Sequence, residues 1–280
     1  MKTIITIIAL VFITALNAQN FTGKAIYKTS KKSDVKFGEG QEGITDKMRE
    51  EFQKRLQKMN QKTFILNFDK NTSIYKEEEK LEAPKTKVGS AGIKMISLGG
   101  SGSADIYYKN IKQKKFANKT EIMGKAFLVK DKLKEYDWEL SSETKNIGQY
   151  TCYKATHTKE VENKTISMVN GKTKENITKE TVVTTAWYTT QVAISNGPAD
   201  YQGLPGLILE INDGKNMIVC TEIILNPENA TEIKEPTKGK VVSLKKYKKI
   251  QKEKSDELME KMKSRKGIDL GNGINIKMGG

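Results

Sequence analysis

The stretch from Gly197 to Ile211 constrains this chain more than any other. It reads Gly-Pro-Ala-Asp-Tyr-Gln-Gly-Leu-Pro-Gly-Leu-Ile-Leu-Glu-Ile. Pro205 fixes its own φ and Gly206 tolerates a positive one, so the pair predicts a type II turn. Leu207 to Ile211 is then a mostly apolar strand. Asp213-Gly214 is a two-residue hairpin signal, and Met217 to Leu225 returns. In that register Leu209 lies opposite Ile218 and Leu207 opposite Cys220. A rigid turn that launches a central hairpin accounts for the segment without any chemistry.

The remaining pattern agrees with a sheet. Phe21 to Thr29 alternates, with Phe21, Gly23, Ala25 and Tyr27 on one face. Strands are expected at Lys62–Phe68 and Thr72–Lys76, around a turn at Asp69-Lys70-Asn71. Further strands are expected at Ala104–Tyr108, Gln113–Lys119, Ala126–Lys130, Tyr136–Leu140, Gln149–His157 and Thr181–Thr189. Short strands at this spacing, separated by small turns, indicate antiparallel pairing and not βαβ winding. Two helices are expected beside the sheet. Ile44, Met48, Phe52, Leu56 and Met59 form one stripe. Val241 to Lys263 forms the other, with Tyr247, Ile250, Leu258 and Met262 on one side and Ser243 as its cap. Lys245, Lys246, Lys248 and Lys249 form a basic patch in its first turns, where the macrodipole disfavours cations. The fold class is mainly β (α+β): a curved antiparallel sheet with an N-terminal helix and a basic C-terminal helix. Residues 1–18 are a leader, 19–240 the β-rich domain with a flexible Gly/Ser insertion at 84–103, and 241–280 the basic helix and a glycine-rich tail.

The leader has a short charged start, then an apolar run from Ile4 to Ala15, well below the ~20 residues a membrane-spanning helix needs. A small residue, Ala18, precedes the expected cut before Gln19, which makes a secretory signal peptide the leading reading and an N-terminal anchor the alternative. No second apolar run is long enough to span a bilayer. Export places Cys152 and Cys220 where disulfides can form. Bonded, they would close a long loop and stabilise by about 4 kcal/mol. Unbonded, they are two buried thiols on separate strands.

Composition excludes several chemistries. The single His, His157, removes two-histidine metal sites, and two Cys cannot build a four-cysteine zinc site. No phosphate-binding P-loop pattern occurs, and no cofactor is expected. The formal charge is +15, but only Arg49, Arg55 and Arg265 are arginines. Lysine lacks the bidentate fork that reads nucleic acid, so no specific nucleic-acid partner is expected.

Gly203-Leu204-Pro205-Gly206-Leu207-Ile208 resembles the signature of the GLPGLI family, secreted proteins of the Bacteroidota. Trp138, Tyr150-Thr151-Cys152-Tyr153-Lys154-Ala155, Ala186-Trp187-Tyr188 and Gly197-Pro198 are similar to its other landmarks, in the same order. Ala193 stands where a Pro is common, and Gln149 where a second Gly is common. The resemblance implies an exported, periplasmic or envelope-associated, β-rich protein, and it implies no catalytic residue.

Three functions follow as expectations. The first is a non-enzymatic binding or carrier module for an apolar or lipid-like ligand or an envelope partner, with Trp187, Tyr188, Tyr201, Leu204 and Pro205 lining the concave side. The alternative is a surface protein held by charge to anionic polysaccharide or lipopolysaccharide. The third is a hydrolase using carboxylates such as Glu210 and Asp213.

Overall fold

Alternation along the first strand sets the pattern for the whole molecule. In the computed structural model, which describes residues 21–31, 50–51, 61–78, 105–169, 172–264 and 276–278, β1 (Thr22–Lys31) buries Gly23, Ala25 and Tyr27. Directly opposed residues share a face. Ala25 pairs with Leu66 of β2 (Lys62–Asp69), and Leu66 pairs with Tyr75 of β3 (Thr72–Glu77). Tyr75 in turn pairs with Tyr107 of β4 (Ile106–Asn110). One apolar face therefore runs unbroken across these strands. The Asp69 carboxylate closes the β2–β3 turn by accepting the N–H groups of Asn71 and Thr72 at 2.7 and 2.6 Å.

The chain continues through β5 (Lys115–Ile122), β6 (Lys125–Lys132), β7 (Glu139–Ile147), β8 (Tyr150–Val169), β9 (Lys172–Thr189), β10 (Leu207–Asn212) and β11 (Asn216–Leu225). Short strands β12 (Lys240–Val242) and β13 (Ile276–Met278) flank helix α1 (Leu244–Ser264). All strands form a 13-stranded sheet in the order β12-β6-β5-β4-β3-β2-β1-β11-β10-β9-β8-β13, with β7 also on β8. Among the described residues every pairing is antiparallel except β12 on β6.

Two packed regions carry most of the burial. Ala25, Tyr27, Leu66, Phe68 and Tyr75 meet Leu207, Leu209, Cys152 and Cys220 in the first. Phe64 stacks on Tyr75 there, ring centroids 4.9 Å apart. In the second, Phe116, Phe127, Val129 and Val242 receive Tyr247 of α1. Ser243 caps α1 as expected, its hydroxyl accepting the Lys246 N–H at 3.3 Å. The Asp131 carboxylate accepts the Leu244 N–H at 3.0 Å. No acid occupies that helix's first turn.

Several details differ from the sequence reading. Gly206 does not take a positive φ; Gly203 does, at 97°. The β10–β11 hairpin turns over Asp213 to Asn216, not two residues, so Ile218 lies opposite Ile211 and not Leu209. The Asp213 carboxylate dictates this longer turn by accepting the Lys215 and Asn216 N–H groups at 2.9 and 2.6 Å. The offset is even, so each side chain keeps its face. Tyr136 to Trp138 are not in a strand, and β7 instead continues to Ile147. It is an edge strand exposed on both sides, so it carries no apolar alternation to read. Of the expected N-terminal helix, Glu50 and Glu51 are helical and the rest lies outside the described residues, as do the leader and the insertion at 84–103. Among the described residues no helix is long and apolar enough to cross a membrane.

Candidate functional site

The segment from Thr190 to Gly206 joins β9 to β10 and folds back upon itself. Three tight three-residue turns shape it: Ile194 N–H donates to Val192 O, Asn196 to Ile194 O and Gly206 to Leu204 O, each at 2.8 Å. Pro205 sits at the centre of the last, where its fixed φ matches an inverse γ-turn. This turn replaces the type II turn expected from Pro-Gly. The second half of the segment then bonds to the first. Leu207 N–H donates to Val192 O at 3.0 Å and Ile208 N–H to Asn196 O at 2.9 Å. Glycine at 206 answers to close approach: a Cβ there would lie 2.1 Å from the Thr189 carbonyl oxygen. Gly203 both supplies the positive φ and rests against the Trp138 indole, 3.7 Å from where its Cβ would be.

Side chains from β4 and from the loop before β7 clasp this segment. Lys109 of β4 is fully buried, and its ammonium donates to Gly197 O at 2.6 Å and Tyr201 O at 3.1 Å. Trp138 Nε1–H donates to Gln202 O at 2.9 Å, and Gln202 Nε2–H donates back to Lys134 O at 2.8 Å. Tyr136 O–H donates to Asp200 Oδ2 at 2.8 Å. Tyr136 stacks on Trp138 at 5.1 Å, His157 meets both edge-on, and Lys134 Nζ sits 3.9 Å above the Tyr136 ring.

Electrostatics follow from this burial. Desolvation holds Lys109 down to about 7, opposed by the nearby Asp200 carboxylate. Burial, reinforced by Asp200, pushes the Tyr136, Tyr107 and Tyr201 hydroxyls up. Partial burial lowers Lys134, and the positive charges of Lys159 and Lys248 lower it further against the pull of Asp200. The charges of Lys159 on β8 and Lys248 on α1 thus reach Lys134 in the loop before β7.

The sequence-derived site residues do not meet around one cavity. Tyr188 packs with Ala155, Ala186, Leu204 and Ile208 in a third buried cluster. Its neighbour Trp187 projects to the opposite face, as alternation requires. There Lys145 Nζ lies 4.5 Å from the Trp187 ring and 2.7 Å from Glu210 Oε2. Tyr201 joins the clasp at 5.4 Å from Tyr136, Gly197 and Pro198 are buried beneath it, and Pro205 is exposed. Leu204, Leu207 and Ile208 are core. Glu210 is therefore ion-paired, and Asp213 serves the hairpin turn.

Cys152 and Cys220 are free thiols in one buried cluster, not a disulfide. Each is tied to a carbonyl, of Tyr150 at 3.6 Å and of Glu222 at 3.4 Å. Burial pushes them up to about 11 and about 12, which makes them poor nucleophiles. Lys245, Lys246, Lys248 and Lys249 are all exposed on α1. Sequence reasoning missed Lys109, Tyr136 and Asp200. A lysine near a strand end is ordinarily solvated, and nothing local distinguishes this one.

Residues 138–210, about a quarter of the chain, match a family described as "Protein of unknown function (Porph_ging)". The matched span begins at Trp138 and ends at Glu210. It is thus the β7-to-β10 unit together with the segment that Trp138 clasps. No curated protein matches the chain. Two solved structures of PNGF-II, in C2 and P21 space groups, are similar at TM-score 0.46 and 12% and 13% identity. They cover 84% and 83% of this chain, which spans 33% of theirs.

Proposed function

We propose that this chain is an exported, non-catalytic cell-envelope protein of the GLPGLI type, held by its basic surface to anionic polysaccharide or lipopolysaccharide. The observation that carries this reading is the exposed Lys134 ammonium 3.9 Å over the Tyr136 ring of the clasp, within reach of the positive charges of Lys159 and Lys248, in a chain of formal charge +15. A basic cluster of this kind raises the local concentration of a polyanion and binds it in a salt-dependent way. The carrier reading draws less support, because Leu204, Leu207 and Ile208 are committed to the core and Trp187 and Tyr188 point apart. The cleft beside β4, β5 and β6, of about 380 Å³, has Lys115, Lys130, Lys132, Asp131 and Glu235 in its walls beside Tyr108 and Phe116, charges that an acyl chain would have to desolvate.

Chromatography on immobilised lipopolysaccharide tests the proposal. The wild-type chain should elute only at raised salt. Reversing Lys134, Lys159 and Lys248 to Glu should lower the eluting salt markedly more than reversing Lys70, Lys112 and Lys125, which lie at other hairpin turns. Equal losses from the two sets would remove the site, and salt-independent retention would remove the electrostatic reading. Export itself predicts a mature chain beginning at Gln19, which N-terminal sequencing of protein from the envelope fraction checks.

A further inference from the structure

Among the described residues, the longest hairpin leaves part of one edge without a strand. β8 and β9 pair continuously from Tyr153↔Tyr188 to Val169↔Lys172. On its other side β9 pairs with β10 only from Thr189 to Thr185. Residues 172–184 of β9 therefore have no strand on that side among the described residues. At about 3.3 Å per residue this is an edge on the order of 40 Å long. Exposed edges of this length template pairing with another chain, and natural sheets ordinarily blunt them with proline, bulges or charged side chains, of which this edge carries five. Lys172 to Thr184 contains no proline, and its pairing with β8 shows no register shift.

The sequence of this edge is complementary to itself. It reads Lys172-Thr-Lys-Glu-Asn-Ile-Thr-Lys-Glu-Thr-Val182. Laid antiparallel against a second copy about Ile177, it sets Lys174 opposite Glu180 and Glu175 opposite Lys179. Thr173 then lies opposite Thr181, Asn176 opposite Thr178, and Ile177 opposite itself. Every charged position from 174 to 180 meets its opposite sign, an arrangement that favours cross-strand pairing. Other registers lose this. Centring on Thr178 leaves no opposed charges, centring on Asn176 keeps only Lys172 with Glu180, and centring on Glu175 or Lys179 opposes like charges. The existing ion pair between Glu180 and Lys215, at 3.2 Å, leaves the charge of each position unchanged.

We infer that two copies of this chain associate through β9, antiparallel and two-fold symmetric about Ile177, continuing the sheet of one copy into the sheet of the other. Such an isologous contact closes on itself and gives a dimer, not a fibre. The inference is independent of the polyanion reading, since it uses only the free edge and its charge order.

Light scattering on the full chain tests it. The wild-type chain should show about twice the mass of the 31.5 kDa chain at tens of micromolar and dissociate on dilution. Glu175→Lys and Lys179→Glu each place like charges opposite one another twice across the axis, and neither touches the Lys215–Glu180 pair. Each should shift the dissociation constant upward at least tenfold with an unchanged far-ultraviolet circular dichroism spectrum. The double variant restores opposite charges and should recover the dimer. Ile177→Cys should cross-link to a dimer under mild oxidation, and Thr173→Cys, which faces Thr181, should not. A monomer at every concentration, or a dimer indifferent to these substitutions, would overturn the inference.

Discussion

Between its buried value of about 7 and the ordinary lysine value of 10.5, Lys109 gives up its proton in the folded chain while the unfolded chain keeps it. The unfolded state then binds more protons, so stability rises with pH across that window. The thiols act oppositely. Their folded values of about 11 and about 12 stand above the ordinary 9.0, so unfolding is favoured as pH climbs past 9. The raised tyrosines Tyr27, Tyr107 and Tyr136 add to this above the ordinary 10.0. Urea midpoints should therefore climb from pH 7, reach a maximum near pH 9 and fall beyond it. Lys109→Met should flatten the rising limb and leave the falling one. Gly206→Ala, by contrast, drives a methyl group into the Thr189 carbonyl. Overpacking of this kind costs typically 1–3 kcal/mol, and the closeness of backbone atoms argues for about 3 kcal/mol in denaturant melts. Trp138→Phe keeps the ring but leaves the Gln202 carbonyl without its donor, and should cost about 1–2 kcal/mol.

Elements were legible where one face is buried and the other wet. β1, β2 and β3 alternate or carry apolar runs, and their strands stand within a few residues of where the sequence places them. α1 was readable from Ser243, Tyr247 and Ile250 for the same reason. Tyr247 fills a gap beside Phe127, ring centroids 5.8 Å apart, and its hydroxyl lies 3.3 Å from Thr120 Oγ1. Tyr247→Ala should cost about 3 kcal/mol, near the lower end for buried aromatics because the helix also rests on Ile250. Ser243→Ala should cost about 1 kcal/mol. The gap between these two melts separates docking from capping. β7 and the outer parts of β8 and β9 were not readable in full. β7, Thr158 to Glu162 of β8 and Thr178 to Val183 of β9 face solvent widely, so their polar and β-branched side chains give no period. β12 was hidden differently: Lys240–Val242 is short, and its pairing with β6 is parallel and distant in sequence. The clasp shares this property. Lys109, Trp138 and Asp200 find their partners only once β4, the loop before β7 and the β9–β10 connection are brought together.

At the scale of the molecule, one sheet carries two separate devices. The β9–β10 connection is fixed rigidly by groups from β4 and the loop before β7, and Lys134, reached by the charges of Lys159 and Lys248, stands beside it. Further along the same strand β9, residues 172–184 have no strand on one side among the described residues. Rigid support beneath a charged surface lowers the ordering cost of binding. That division predicts that weakening the clasp and reversing the lysines act on different observables. Trp138→Phe should lower the melting midpoint with little change in the salt at which the chain leaves immobilised lipopolysaccharide. The Lys134, Lys159 and Lys248 reversals should do the converse.

Hydrogen–deuterium exchange over residues 190–212 reads the clasp itself. With the amides of Gly206, Leu207 and Ile208 bonded to Leu204, Val192 and Asn196, that peptide should exchange as slowly as β1 and β11, and Lys109→Met should accelerate it while the β5–β6 peptides stay unchanged. Exchange at coil-like rates in the wild-type chain, with β1 and β11 still protected, would show the segment to be unfastened and the account of the site to be wrong.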